Sequence, residues 1–134
     1  MKALIGAHSG MAYLLMMSTT ISLILAIINA AVGSKPSLVR AGTMLGRKVE
    51  PALMGLIGLI GIGAWITSGL PITTAYLWIG VLAVIFQGAL IGMVLKPTLI
   101  ALTLGNSSAR WRWVGVALVH SLLIGAMVGL MQAN

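Results

Sequence analysis

The stretch MAYLLMMSTTISLILAIINAAV, residues 11–32, decides how this chain folds. It carries no charge, and it is long enough to cross a bilayer as a helix, which takes about 20 apolar residues at about 1.5 Å each. A cleaved signal peptide is the competing reading. Its apolar core would be shorter, roughly 7 to 15 residues, and a small-residue cleavage site would follow, so the run is taken as a retained span.

Three further apolar runs succeed it, at about 52–67, 74–95 and 113–131. Pro51 suits the first turn of the second helix, where a missing N–H costs nothing. Ser68, Gly69 and Pro71 make a short uncharged turn into the third span. Lys96 and Pro97 end or kink that span, and the apolar residues up to Leu104 allow it to continue with a bend toward Gly105 and Asn106. The fold class is therefore all-α, an integral membrane four-helix bundle, with residues 1–134 as a single transmembrane domain.

Composition excludes the alternatives. The chain of 134 residues is 60% hydrophobic and 7% charged, whereas soluble domains are roughly 25% charged. Eight Lys and Arg face one acid, for a net charge of +7. In a soluble protein such an excess points to nucleic acid. Here Lys35, Arg40, Arg47, Lys48, Lys96, Arg110 and Arg112 fall in the two loops of one side and only Lys2 on the other. By the positive-inside rule those loops face the cytoplasm and both termini face the periplasm or its equivalent, so no nucleic-acid partner is expected. Trp111 and Trp113 then fall at the inner interface, and Trp65, Tyr76 and Trp78 near the outer turn, depths that amphipathic rings favour. The first basic loop also holds a weakly amphipathic stretch, residues 38–45, which could lie along the interface.

Helices associate in lipid where small residues let backbones approach. Gly55, Gly58 and Gly61 recur along the second span, Gly88 and Gly92 pair on the third, and Gly125 and Gly129 on the fourth. They are expected at contacts inside the bundle; the alternative is a face that docks another subunit, sought at Gly115, Gly125 and Gly129 of the last helix. The nine methionines read as gap fillers, since no histidines or charges cluster with them.

Ionisable groups inside a span are functional candidates by default. None is expected at mid-span. Glu50, the only acid, falls at the basic end of the second span beside Arg47 and Lys48, where a local ion pair or a helix N-terminal charge explains it. That weakens a proton-coupled transporter reading. Gln87, Asn29, Ser18, Thr19, Thr20 and Ser22 are expected to hydrogen-bond between helices or to their own backbone. Catalytic residues and a metal centre are not expected: there is no cysteine, no carboxylate pair, no nucleophile with a base and no phosphate loop.

The histidines are the remaining chemistry. His8 stands at the outer edge of the first span and His120 lies about 12 Å inside the last, which offsets them by roughly 15 Å along the membrane normal. Each could serve as a single axial ligand to a haem or chlorin; otherwise His120, with Ser121 beside it, serves an interhelical hydrogen bond, and His8 an interfacial role.

His8-Ser9-Gly10-x-x-Tyr13-Leu14, followed by Ile28-Asn29-Ala30-x-x-Gly33, resembles the opening of small bacterial four-helix membrane proteins labelled "cytochrome b". The basic first loop and Gly-rich second helix are also similar to the copper-resistance and protoporphyrinogen-oxidase membrane bundles. The resemblance implies a bacterial inner membrane, cytoplasmic or photosynthetic, and a place in electron transport. Members carry further histidines in the second and third spans. This chain has none there and places His120 on the fourth. A bundle that keeps the fold without the haem ligands is expected to be a non-catalytic accessory subunit of a respiratory or photosynthetic complex, contacting lipid or pigment. A small b-type haem protein and a small homo-oligomeric transporter or channel are the alternatives.

Overall fold

The computed structural model describes residues 2–133; Met1, Asn134 and the side chain of Tyr76, expected near the outer turn, lie outside the described residues. Four helices account for nearly all of it, each long and apolar enough to cross a membrane, and no strand occurs among the described residues. They are α1 (Lys2–Ala31), α2 (Pro36–Ser68), α3 (Leu77–Thr103, continuing turns that begin at Ala75) and α4 (Ser107–Ala133). The helices outrun the apolar runs: α1 begins at Lys2 and α2 at Pro36.

Side-chain contacts set the directions. The Ser9 hydroxyl reaches the Met131 sulfur at 3.6 Å and the Ser121 hydroxyl donates to the Thr19 carbonyl at 3.1 Å, so numbers rising on α1 meet numbers falling on α4. Contacts of Ser22 with Glu50 and of His8 with Ile57 show the same opposition between α1 and α2. Both termini thus lie at one end of the bundle, and the connections at 32–35 and 104–106 at the other. α1 packs against both α2 and α4 and forms the centre.

The first connection is tight because Asn29 closes it. Asn29, fully buried, accepts the Lys35 N–H on Oδ1 at 2.8 Å and the Ser34 N–H on its carbonyl at 2.8 Å. Gly33 and Ser34 both take positive φ there, at 84° and 78°, a conformation that costs a non-glycine residue roughly 1–2 kcal/mol. At the opposite end, α2 stops at Gly69, whose φ of 68° glycine adopts without strain. Trp65 Nε1 donates to the Leu70 carbonyl at 2.9 Å and Trp78 Nε1 to the Ile72 carbonyl at 2.6 Å, which ties both rings to this turn.

Neither internal proline breaks its helix. Pro51 cannot donate to the Arg47 carbonyl and its ring presses on it, a strain a wider turn just upstream relieves. Residues Leu45–Val49 form that π-turn, with the Glu50 N–H bonding back to the Leu45 carbonyl. Residues Ile91–Leu95 do the same before Lys96 and Pro97, with the Lys96 N–H on the Ile91 carbonyl. The expectation that Pro51 opens a helix is therefore corrected: it lies within α2. The stretch at 38–45 is likewise not a separate interfacial piece but part of α2, with Val39 and Gly42 buried.

Two close fits hold the half of the bundle that carries the connections. Gly42 of α2 takes the Trp113 indole of α4 so tightly that a Cβ there would collide with the ring. Trp113, expected at an interface, is 1% exposed and a core residue, whereas Trp111 is exposed. One turn on, Gly46 faces Leu95 and Leu99 of α3, where a Cβ would stand 3.0 Å from Leu95 Cδ2. Of the seven glycines expected at contacts inside the bundle, one is at such a contact and six are not. Gly61 lies against His8, while a Cβ at Gly55, Gly58, Gly88, Gly92, Gly125 or Gly129 would meet nothing within 4 Å.

Candidate functional site

Glu50 occupies the interior of the bundle. In a helix that begins at Pro36 it falls on the buried stripe of Val39, Gly42, Gly46 and Met54, while Arg47 and Lys48 point outward and are exposed. The sequence-based expectation of a terminal charge paired with those cations is thereby overturned. Its carboxyl is 1% exposed. A buried carboxyl costs several kcal/mol unless polar partners surround it, and two helices supply them. The Ser22 hydroxyl of α1 donates to Oε1 at 2.7 Å, and His120 of α4 places Nδ1 3.6 Å from Oε2.

The surroundings are polar on one side and apolar on the other. Thr19, Ser22, Glu50 and His120 line a cavity of about 10 Å³ with Gly42, Gly46, Leu95, Trp113 and Ala117, room for one water-sized molecule. Thr19 spends its hydroxyl on the Met16 carbonyl at 3.0 Å. Among the described residues three buried side-chain polar atoms have no hydrogen-bond partner: Arg110 Nε at the start of α4 and, at this level, the Ser18 hydroxyl, one turn before Ser22, and His120 Nε2. Buried donors and acceptors are nearly always satisfied, so two orphans beside a buried carboxyl mark a site rather than ordinary packing.

The second histidine is elsewhere. His8 Nδ1 donates to the Ile57 carbonyl at 3.2 Å, and its ring rests on Gly61, where a Cβ would come within 3.1 Å of Cε1. Gly61 thus admits the imidazole to the α2 backbone. Ser22, at the level of the buried pair, is about 21 Å further along α1 than His8 at roughly 1.5 Å per residue. The structure brings His120 to Glu50 and does not bring His8 to His120.

A haem held by the two histidines does not fit this arrangement, and the space beside His120 is far too small for a tetrapyrrole. No group of three or more His, Asp or Glu side chains able to hold a metal occurs among the described residues. Other polar residues bond locally or between helices: Thr20 donates to the Met16 carbonyl at 2.8 Å, and Thr98 of α3 accepts from Arg112 Nε of α4 at 2.8 Å.

The signal for Glu50 was present. Gly42, Gly46 and Glu50 follow one another at four-residue spacing, and Leu45-Gly46-x-x-Val49-Glu50-Pro51 has a counterpart in Ile91-Gly92-x-x-Leu95-Lys96-Pro97. Two like segments at matching places in two helices, each ending in a charged residue and proline, point to a deliberate break in regular turns. Comparison of the chain with protein families, curated proteins and solved structures finds no match in any of the three. The cytochrome-b resemblance thus rests on its opening motif alone.

Proposed function

We propose that the chain is a non-catalytic integral membrane subunit of a larger energy-conserving complex and that its third helix is the side that meets the neighbouring subunit. One observation carries this. Of the most apolar 18-residue stretch of α3, 6% is buried inside the bundle, the least of the four, against 11% for α2 and 28% for α1 and for α4. Trp78, Leu82, Ile85 and Phe86 are all exposed on the first half of α3, with Gly88 and Gly92 open just below them. In lipid, helices associate through packing at small residues, and the open glycines offer such a surface. The charge distribution supports an orientation with the basic connections in the cytoplasm and both termini outside. The opening motif supports the respiratory or photosynthetic kind of complex and a bacterial inner membrane, with lipid or pigment at the periphery.

A photo-crosslinker at Ile85, with one at the exposed Ile24 of α1 as control, tests the reading in native membranes. Crosslinks to another protein from position 85, together with a native mass well above that of one chain in mild detergent, are the expected result. A lone chain that crosslinks only to lipid refutes it.

A second reading, a small homo-oligomeric transporter, gains from the buried Glu50, since a protonatable carboxyl inside the membrane is what coupled transport uses. Substrate-dependent proton flux in liposomes that is lost in Glu50→Gln would favour it over the first.

A further inference from the structure

We infer that Glu50 and His120 form a proton-binding site inside the bundle, taking one exchangeable proton between the carboxyl and the imidazole with a water molecule in the adjoining cavity. The geometry carries this in three steps. The separation of 3.6 Å between Nδ1 and Oε2 is too long for a made hydrogen bond and short enough for an ion pair, so the two groups are poised to exchange a proton through a small shift or a bridging water. The cavity they line has the volume of one water. His120, a cavity-lining residue 2% exposed, has no hydrogen-bond partner at Nε2, so its ring brings an unsatisfied polar atom to the place where a water would sit.

No other charge competes at the site. From α1 only the uncharged Thr19 and Ser22 line it, Thr19 with its hydroxyl bonded to the Met16 carbonyl, and α3 presents Leu95. The cations at this level, Arg47 and Lys48 on α2 and Lys96 on α3, are exposed on the outside of the bundle, and Arg112 of α4 is exposed with its Nε engaged by Thr98. The chemistry is proton transfer alone. A proton from water adds to the carboxylate or to an imidazole nitrogen and leaves by the same route, and no electron moves.

Because Glu50 is the only Asp or Glu in the chain, isotope labelling of glutamate gives a single-site probe in the unaltered protein. The full chain, labelled with ¹³C at the glutamate carboxyl and reconstituted in lipid, is followed by infrared or NMR titration. A carboxyl that switches between protonated and ionised forms while the bundle stays folded is expected, with a midpoint that moves by at least about one pH unit in His120→Gln, a tenfold change in proton affinity. If His120→Gln does not fold, the ¹⁵N imidazole signals of the unaltered chain take its place, with His8→Gln identifying which belongs to His120. The His120 signal must then change at the same midpoint. A carboxyl that holds one state throughout overturns the inference, as does a titration indifferent to His120.

Discussion

The half of the bundle that carries the two basic connections and the half that carries the termini and the 69–74 turn are both rich in glycine and packed in different ways. In the first, small residues on α2 seat large ones from its neighbours: Trp113 on Gly42, Leu95 and Leu99 on Gly46. Thr98, Leu99, Leu102, Ala109 and Val116 are buried around them. In the second, α3 stands apart along most of its length and the glycines of α3 and α4 face open space. Glycine content therefore does not locate a helix contact. What locates it is a glycine on the same stripe as other buried residues with a large side chain opposite.

The largest effect that could break this contrast is at Trp113. Trp113→Ala should cost about 3–5 kcal/mol, the range for removing a buried aromatic side chain, measured by denaturation in mixed micelles. A loss under 1 kcal/mol would mean the connection-side half is not the cohesive one. Gly42→Ala attacks the same contact from the other side. Its Cβ would overlap the indole, and overpacking of this kind costs about 1–3 kcal/mol. Gly42→Ala combined with Trp113→Ala should cost less than the sum, since the added methyl then has room.

Ser22→Ala probes the polar centre between the two halves. It removes the donor to Glu50 Oε1, and hydrogen bonds between membrane helices are worth about 1 kcal/mol. The expected loss is of that size, read in the same denaturation assay. The loss should shrink in a Glu50→Leu background, where the hydroxyl has no carboxyl to donate to.

Four helices were legible in the sequence because each carries an uncharged run long enough for a bilayer, and hydropathy needs no tertiary information. The interior place of Glu50 was signalled by its spacing from Gly42 and Gly46 but masked, for a local reason. Arg47, Lys48 and Glu50 in a row, followed by Pro51, match the signature of a helix beginning, and a charged cluster reads as a loop. The π-turn at Leu45–Val49 lets the helix run through the proline instead, and it turns Glu50 inward while Arg47 and Lys48 stay outside. Trp113 was misplaced by the same kind of reasoning, since an aromatic residue beside arginines fits an interface until Gly42 is seen to leave space for it. His8 and Gly61 were each read as separate candidates, yet they are one contact. That pairing joins residues more than fifty positions apart and leaves no trace in local pattern.

The smallest expected effect is the most informative about assembly. At Gly125 of α4 a methyl group would meet nothing within 4 Å, and alanine is the better helix former by up to about 1 kcal/mol. Gly125→Ala in the isolated chain should therefore be neutral or slightly stabilising, within about 0.5 kcal/mol of the parent. A larger side chain separates the bundle from its surroundings: Gly125→Leu should leave the isolated chain's denaturation unchanged. If Gly125 and Gly129 lie against a neighbouring subunit, the same variant should reduce co-purification of that subunit from native membranes. A clear loss of stability in the isolated chain would place Gly125 in an internal contact and erase the difference between the two halves. Unchanged stability with unchanged co-purification would leave α4 facing lipid at this position and concentrate subunit contact on α3.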